Sequence, residues 1–127
     1  MSTTISNPSV YDPGKDITAE ATAPVTARRF LTISGNRTAG GNVAVTMAAT
    51  GARTCGVAGN DAASGGLVRV VRGNSRVVKV TASGAIAAGS EVQIAANGTA
   101  ATKSAGVAVG YAITGAADAT DAEVSLY

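Results

Sequence analysis

Short runs of valine, isoleucine, leucine and threonine recur along the chain, separated by turns rich in glycine, asparagine and serine. Runs of this length and composition, bounded by turn residues, are typical of β-strands. The pattern predicts strands at residues 29–34, 42–47, 56–58, 67–72, 76–81, 91–95, 107–113 and 123–127. No run of ten or more residues has the 3.6-residue period of an amphipathic helix, and only the alanine-rich residues 115–121 are compatible with one helical turn. We therefore predict an all-β protein, a small barrel or sandwich with at most one short helix.

The middle of the chain is predicted to form a hairpin with a basic surface. Its arms are residues 67–72 and 76–81, joined by Gly73-Asn74-Ser75. It carries four of the ten basic residues, namely Arg69, Arg72, Arg76 and Lys79. Valines occupy both faces, as in a central strand pair or a subunit contact. The basic side chains either form a binding surface or only keep the strands soluble and guard their edges.

The chain also contains a weak internal repeat, beginning near residue 26 and again near residue 87. Each half runs through a small-residue turn, a strand, a turn with Gly and Asn, and a Gly-x-Ala segment followed by a loop and a final strand. The matching segments are Gly56-Val57-Ala58 with Gly110-Tyr111-Ala112, and residues 67–71 with residues 123–127. The alternative is chance similarity in a chain dominated by four small residue types. A real repeat predicts two similar β units packed into one barrel.

Residues 1–24 are polar and contain all three prolines of the chain. Each proline lacks a backbone N–H and pushes its predecessor toward extended geometry, so a helix is disfavoured. We predict an extended N-terminal arm, with a strand at residues 16–21, in front of a single β-barrel domain at residues 25–127. Tyr11 and Ile17 give the arm apolar side chains for docking. Without such docking, a segment of this kind is a flexible terminus.

The composition indicates a thin core. Of the 127 residues, 46% are hydrophobic, but aromatic residues make up only 3% and tryptophan is absent. Aromatic side chains normally contribute much of the buried area of a core. A core of valine, isoleucine and alanine favours a protein that gains part of its stability from association.

The charges are distributed unevenly, although the net charge is only +2. Residues 1–21 carry a net charge of −2, residues 22–103 carry +7, and residues 104–127 carry −3. The acidic ends either fold back on the basic middle or meet the basic surface of a neighbouring copy. Nucleic acid is a third candidate partner. It is the weakest, because the basic stretch has neither interleaved aromatic residues nor a basic helix.

The sequence carries no signal of catalysis. The chain has no histidine, which removes the commonest general base and the commonest metal ligand. Its single cysteine, Cys55, lies two residues from Arg53, but such a cysteine is more often a small buried hydrophobe. Neither a phosphate-binding loop nor a metal-binding spacing of carboxylates occurs. We predict a protein that is not an enzyme and that binds no cofactor, metal or small-molecule substrate.

Targeting signals are also absent from the pattern. The first ten residues lack the basic and apolar regions of a signal peptide. No apolar run approaches the ~18 residues that a membrane span needs. We therefore expect no membrane association, and a protein that is used in a cytoplasm-like setting or released by lysis.

A series of short motifs runs through nearly the whole chain. Near the start stand Tyr11-Asp12-Pro13-Gly14 and Ile17-Thr18. Further motifs are the strand Thr-Ala-Arg-Arg-Phe-Leu, Gly56-Val57-Ala58, Asp61-Ala62-Ala63, Ala85-Ile86, Ala88-Gly89, Val92 and Val124-Ser125-Leu126-Tyr127. Together they resemble the small capsid decoration, or cement, proteins of tailed bacteriophages, which often open with an arm of the form Y-x-P-G-x-x-I/V-T. One departure is Arg28-Arg29, where members commonly carry glycine before the strand.

The resemblance implies a β-tulip-like, non-enzymatic virion protein on the outside of an icosahedral head, assembled in the host cytoplasm. Such proteins often form trimers between hexamers of the major capsid protein. The arm would add a strand to the capsid lattice through main-chain hydrogen bonds. Its expected contact residues are Tyr11, Asp12, Pro13, Ile17 and Thr18. Deletion of residues 1–20 is then expected to leave a folded domain that no longer binds capsids.

The charged residues outside the arm define an expected oligomer or partner surface. Its members are Arg28, Arg29, Arg69, Arg72, Arg76, Lys79, Asp118, Asp121 and Glu123. Two other functions remain open: a β-barrel module that binds carbohydrate or a host surface, and a module that binds nucleic acid through the basic middle. The low aromatic content disfavours the first, since sugar-binding platforms usually use stacking rings.

Overall fold

The computed structural model describes residues 10, 11 and 14–127. Ten β-strands and one short 3-10 helix make up the regular structure of this part of the chain. The elements are β1 (Asp16–Ala21), β2 (Phe30–Gly35), β3 (Val43–Met47), β4 (Gly56–Ala58), β5 (Leu67–Val71), β6 (Val77–Thr81), β7 (Glu91–Ile94), the 3-10 helix (Ala96–Gly98), β8 (Ala100–Thr102), β9 (Gly110–Thr114) and β10 (Asp121–Leu126). The predicted all-β fold with at most one short helix is confirmed.

Strands β1 to β5 form the first unit, a closed barrel in the order β1-β3-β2-β4-β5. β1 pairs in parallel with β3 and antiparallel with β5, which closes the barrel. Along β1, Ile17, Ala19 and Ala21 are buried, whereas Asp16 and Thr18 are exposed. This alternation is the two-residue period of a strand with one buried face. It occurs because one side of the strand faces the barrel interior.

Strands β6 to β10 form the second unit, a five-stranded sheet in the order β6-β10-β9-β7-β8. An isolated parallel bridge between Ala82 and Ala100 joins the two ends of this sheet, just after β6 and at the start of β8. The second unit therefore has the same cyclic strand order as the first, with a bridge in place of the β1–β3 ladder.

The two units share their pairing registers as well as their strand order. Four strand-to-strand pairs of the first unit each have a counterpart in the second. Phe30–Val57 corresponds to Glu91–Tyr111, Ile17–Val70 to Val78–Val124, Ala58–Val70 to Ala112–Val124, and Ala21–Val45 to Ala82–Ala100. A chance similarity of composition would not reproduce these registers. The predicted construction from two similar β units is confirmed.

The alignment of the two units that was inferred from the sequence is shifted by two residues at the last strand. Gly56–Ala58 does correspond to residues 110–112, but residues 67–71 correspond to residues 121–125 and not to residues 123–127. The spacing from the Gly-x-Ala segment to the last strand is the same in both units, with residues 59–66 between them in the first and residues 113–120 in the second, whereas the sequence match assumed a longer spacing in the second. Pairing across the sheet determines the true alignment.

The predicted central hairpin is wrong. β5 pairs with β1 and β4, whereas β6 pairs with β10, so the two valine-rich segments lie in different units. Gly73-Asn74-Ser75 is part of the linker between them. Both long edges of β5 are occupied within the first barrel, which leaves β6 to begin the second unit.

Two local predictions also fail. Residues 115–121 form a turn and the start of β10, and the helical turn lies instead at Ala96–Gly98. The short strand β8 was not predicted, because its three residues, two of them alanine, carry little β-propensity. Pairing with β7 stabilises it.

The boundary between arm and barrel lies earlier than the sequence pattern suggested. The predicted strand at residues 16–21 is present, but it is β1, a wall of the closed barrel. Val25 pairs with Ala62 through an isolated bridge, which ties the segment after β1 to the same unit. Deleting residues 1–20 would remove most of this wall, so such a truncation does not test the arm alone.

Phe30 joins the cores of the two units. One buried cluster lies inside the first barrel and includes Ile17, Leu31 and Val45. The other fills the second unit, and it also contains Phe30 from β2. Successive residues of a strand point to opposite faces, so Leu31 packs inside the first barrel while Phe30 packs against the second unit. The single phenylalanine of the chain therefore lies at the junction.

Candidate binding surface

The arm residues expected to contact the capsid lie in different environments. Tyr11 is exposed, and the guanidinium of Arg37 lies 5.7 Å from its ring centroid, with both Nη atoms donating to its hydroxyl at 3.3 Å. Asp12 and Pro13 lie outside the described residues. These contacts place Tyr11 against the loop between β2 and β3.

Ile17 and Thr18 belong to β1 and point in opposite directions. The side chain of Ile17 lies in the core of the first barrel and is only 6% exposed. Its burial leaves it unavailable to a partner while the barrel is intact. Thr18 lies on the outer face of the strand and is exposed.

The acidic ends of the chain fold back on the basic middle. Asp16 accepts hydrogen bonds from Arg69 at 2.7 Å and 2.9 Å and also pairs with Arg76. The hydrogen bond from Arg69, followed by the interactions with Arg76, lowers the pKa of the Asp16 carboxyl despite the opposing effect of desolvation. At the other end, Asp121 pairs with Arg28. Of the two arrangements left open by the charge pattern, the structure contains the intramolecular one for these side chains.

Arg28 occupies the position at which the sequence departs from the cement-protein pattern. Its backbone has φ = 63°, a left-handed conformation that side chains other than those of glycine rarely adopt. The equivalent residue of the second unit is Gly89, with φ = 83°. The turn therefore keeps the backbone geometry that glycine favours. Arg28, which adopts this strained conformation, is also the residue that pairs with Asp121.

The remaining charged candidates are distributed over the surface. Arg29 donates from Nη1 to the carbonyl oxygen of Asn97 at 3.1 Å, which joins the two units. Asp118 accepts a hydrogen bond from the backbone N–H of Gly84 at 2.7 Å. Lys79 lies directly opposite Glu123 across the β6–β10 pair, and Arg72 is exposed in the linker. Four of the nine charged candidates, namely Arg28, Arg69, Arg76 and Lys79, line one groove of the surface.

An exposed aromatic face on the second unit was not anticipated from the sequence. The rings of Tyr111 and Tyr127 lie 6.4 Å apart, and the Tyr127 hydroxyl donates to Oε2 of Glu91 at 2.6 Å. This hydrogen bond raises the pKa of the Tyr127 hydroxyl. Ile113 lies on the same outer side of β9. We call these four residues the tyrosine face. Tyr111 and Ile113 are two residues apart in a predicted strand, so the sequence indicated that they share one face. This spacing was overlooked because the chain contains few aromatic residues.

Cys55 is not activated for chemistry. Its thiol is half-buried, contacts the carbonyl oxygen of Leu31 at 3.5 Å, and packs against the first core. Desolvation raises its pKa to about 11 from 9.0. A thiol in this state is almost entirely protonated near neutral pH.

We expect the folded protein to react with a thiol-specific disulfide reagent at pH 8 about 100-fold more slowly than the unfolded chain, because the thiolate fraction falls tenfold for each unit of pKa increase. Absorbance of the released thiolate measures the rate, with and without denaturant. Equal rates in both states would contradict the assigned environment of Cys55.

The described residues contain no cluster of three or more side chains arranged to hold a metal ion. In that same part of the chain, no helix is long and apolar enough to cross a membrane.

The fold and its surface define a class: an all-β protein of two similar units that presents charged and aromatic side chains on its outer faces. A family model described as phage cement protein matches residues 11–126. The chain belongs to the phage cement protein family. It is a structural, virion-associated protein, and it associates with the phage capsid.

A solved structure agrees with this fold. The head fiber gp8.5 N base of bacteriophage phi29 is similar with a TM-score of 0.75 over 88% of this chain and 92% of that chain. Sequence identity is 24%, so the likeness concerns the fold. None of the curated proteins matches the chain.

Proposed function

We propose that the protein binds the outer surface of the capsid and stabilises the shell, as a homotrimer between capsomers, with its N-terminal arm on the major capsid protein. It acts by binding and carries out no catalysis. Membership of the cement family is the observation that carries this proposal. The duplicated barrel supports it, since a rigid two-unit scaffold can span neighbouring subunits of a shell.

The closed first barrel supports a role for the arm. In the closed first barrel every strand has a neighbour on both sides, so the free edges are short: β1 pairs with β3 only through residues 19–21, and β2 pairs with β4 only through Phe30 and Leu31. A longer added strand therefore favours a segment outside the barrel. The segment before β1 meets this condition. Within it, Tyr11 is exposed, and Thr18 is exposed on the outer face of β1, which follows the segment.

Repetition on a shell makes modest contacts sufficient. Many copies of a weak binding site act together on one lattice, and the shell is stabilised because every bound copy favours the assembled state. Asp16 pairs with both Arg69 and Arg76 and offsets one of their two positive charges, which leaves less positive surface for nucleic acid than the sequence suggests. We therefore favour a protein partner.

The proposal is tested with heads purified from the encoding phage after deletion of this gene. We expect the full-length protein to co-sediment with these heads to a saturable stoichiometry and to raise the temperature at which they release DNA. A truncated chain comprising residues 14–127 should bind at least roughly tenfold more weakly, because it lacks Tyr11 and the preceding arm while keeping β1.

Ala85→Lys serves as the matched control, since Ala85 is exposed in the β6–β7 loop of the second unit, outside the arm. It should bind like the parent protein. Failure of the full-length protein to bind heads would overturn the proposed function. Undiminished binding by residues 14–127 would overturn only the role of the arm.

A further inference from the structure

The two units of the chain contact each other through different surfaces. The first unit contributes Phe30, Ala48 and Val57, which lie in the buried cluster of the second unit. The second unit contributes the loop between β7 and β8, where the N–H of Gly98 donates to the carbonyl oxygen of Ala48 at 2.9 Å. Gly98 lies so close to Phe30 that a Cβ atom there would be 2.5 Å from the Phe30 carbonyl oxygen. We call these two surfaces the receiving surface and the inserting surface.

The contact is head-to-tail, because the receiving and inserting surfaces are not equivalent in the duplicated fold. Every barrel unit therefore possesses both surfaces, but the chain uses only one of each. A contact of this kind leaves one receiving surface and one inserting surface unused at the two ends of the pair.

The unused receiving surface is the tyrosine face of the second unit. The register places Glu91 where the first unit has Phe30, and Tyr111 where it has Val57. Val57 is 2% exposed, whereas Tyr111 is 41% exposed. Ile113 and Tyr127 extend the apolar part of the same face. Large exposed apolar residues grouped in this way are typical of contact surfaces.

The unused inserting surface lies on the first unit, at the end of β2. Ile33 is the counterpart of Ile94, because both occupy the same register against the third strand of their unit. Ile94 is fully buried and its carbonyl oxygen accepts the N–H of Gly51 from the first unit, whereas Ile33 is 53% exposed. The loop that follows Ile33 is the counterpart of the loop that carries Gly98.

The charges of the two unused surfaces are complementary. The tyrosine face carries the carboxylate of Glu91, at the position equivalent to Phe30. The loop after Ile33 carries Arg37, which is exposed and whose guanidinium also contacts Tyr11 and the carbonyl oxygen of Gly41. In the contact within the chain, the equivalent loop lies directly on Phe30. A second copy placed in the same way would bring its positive loop toward the negative Glu91 of the first.

We propose that the tyrosine face binds Ile33 and the β2–β3 loop of a second copy of this chain, in a head-to-tail contact that repeats the contact between the two units. Repetition of this contact closes a ring in which first and second units alternate. The inference deepens the trimer in the proposed function by naming its contact surfaces, and it does not require the capsid.

The test uses one substitution on each surface. Tyr111→Lys blocks the tyrosine face, and Ile33→Glu blocks the inserting surface; both positions are exposed, so the fold is expected to persist, as checked by circular dichroism and thermal unfolding. Ile113→Lys is a second variant of the tyrosine face in case Tyr111→Lys unfolds. Ala85→Lys again serves as the control, because Ala85 is exposed in the β6–β7 loop and belongs to neither surface. Multi-angle light scattering measures the mass of each protein without capsids.

We expect the parent protein and Ala85→Lys to be oligomers, and Tyr111→Lys and Ile33→Glu to be monomers. An equimolar mixture of the two monomeric variants should form a 1:1 dimer, because one retains its inserting surface and the other its tyrosine face. A two-fold contact of tyrosine face on tyrosine face would instead leave Ile33→Glu oligomeric and would overturn the proposal. A parent protein that remains monomeric up to about 1 mM would also overturn it. Capsid binding is measured separately, so its failure would concern the proposed function alone.

Discussion

Deleting residues 1–20 should abolish cooperative folding, whereas deleting residues 1–13 should leave it intact. The longer deletion removes five of the six residues of β1, including the buried side chains of Ile17 and Ala19. It also exposes the pairing edges of β3 and β5 along the opened barrel. A marginal stability of roughly 5–15 kcal/mol cannot absorb the loss of a barrel wall.

Circular dichroism and urea titration of both truncated chains measure this difference. The chain of residues 14–127 keeps Lys15, whose carbonyl oxygen accepts the N–H of Arg72 at 3.0 Å, and it keeps the pairing of Asp16 with Arg69. It is therefore the matched control for the longer deletion. Retention of a cooperative transition with an unchanged midpoint after removal of residues 1–20 would show that β1 is dispensable, contrary to its position.

Phe30→Ala should cost about 3–5 kcal/mol of unfolding free energy, the range for removing a fully buried phenylalanine side chain. Phe30 is completely buried and lies in the cluster of the second unit although its strand belongs to the first. The cavity would therefore weaken the junction of the units as well as the core. We expect the midpoints of both units to fall together in urea, as measured by hydrogen exchange of amides in β1 and in β10.

Leu67→Ala provides the comparison, since Leu67 is exposed and its truncation should cost less than about 0.5 kcal/mol. If Phe30→Ala were equally mild, the junction would not depend on Phe30. If it destabilised the second unit alone, the two units would not be coupled through this side chain.

The strands could be predicted from the sequence because their pattern is local. β1, β4 and β5 begin at the expected residues, and the repeat of Gly-x-Ala segments revealed the duplication. The partner of each strand could not be predicted in the same way. β5 and β6 have nearly identical valine-rich sequences on either side of a turn-like Gly-Asn-Ser, yet each completes a different unit. Ladder partners are determined by barrel closure, which joins residues distant in sequence.

At the candidate site, too, local features could be predicted from the sequence, whereas contacts between distant residues could not. The acidic ends and basic middle were visible as composition, but only the closed barrel places Asp16 beside Arg69 and thereby selects the intramolecular pairing. The docking role of Ile17 was inferred from its position in a polar segment, and that position gave no sign of the barrel wall. The tyrosine face depends on the pairing of Glu91 with Tyr111 across β7 and β9. No local pattern contains that pairing.

The separation of the two units has a consequence for synthesis on the ribosome. In the described residues, no strand of one unit pairs with a strand of the other. All strands of the first barrel have therefore been synthesised once the ribosome has passed Val71. The first barrel can therefore close while the second half of the chain is still being translated. During that interval Phe30 and Val57 remain uncovered, because the segments that bury them have yet to emerge. Slow translation after the linker would prolong the exposure of this apolar surface, and with it the opportunity for nascent chains to aggregate.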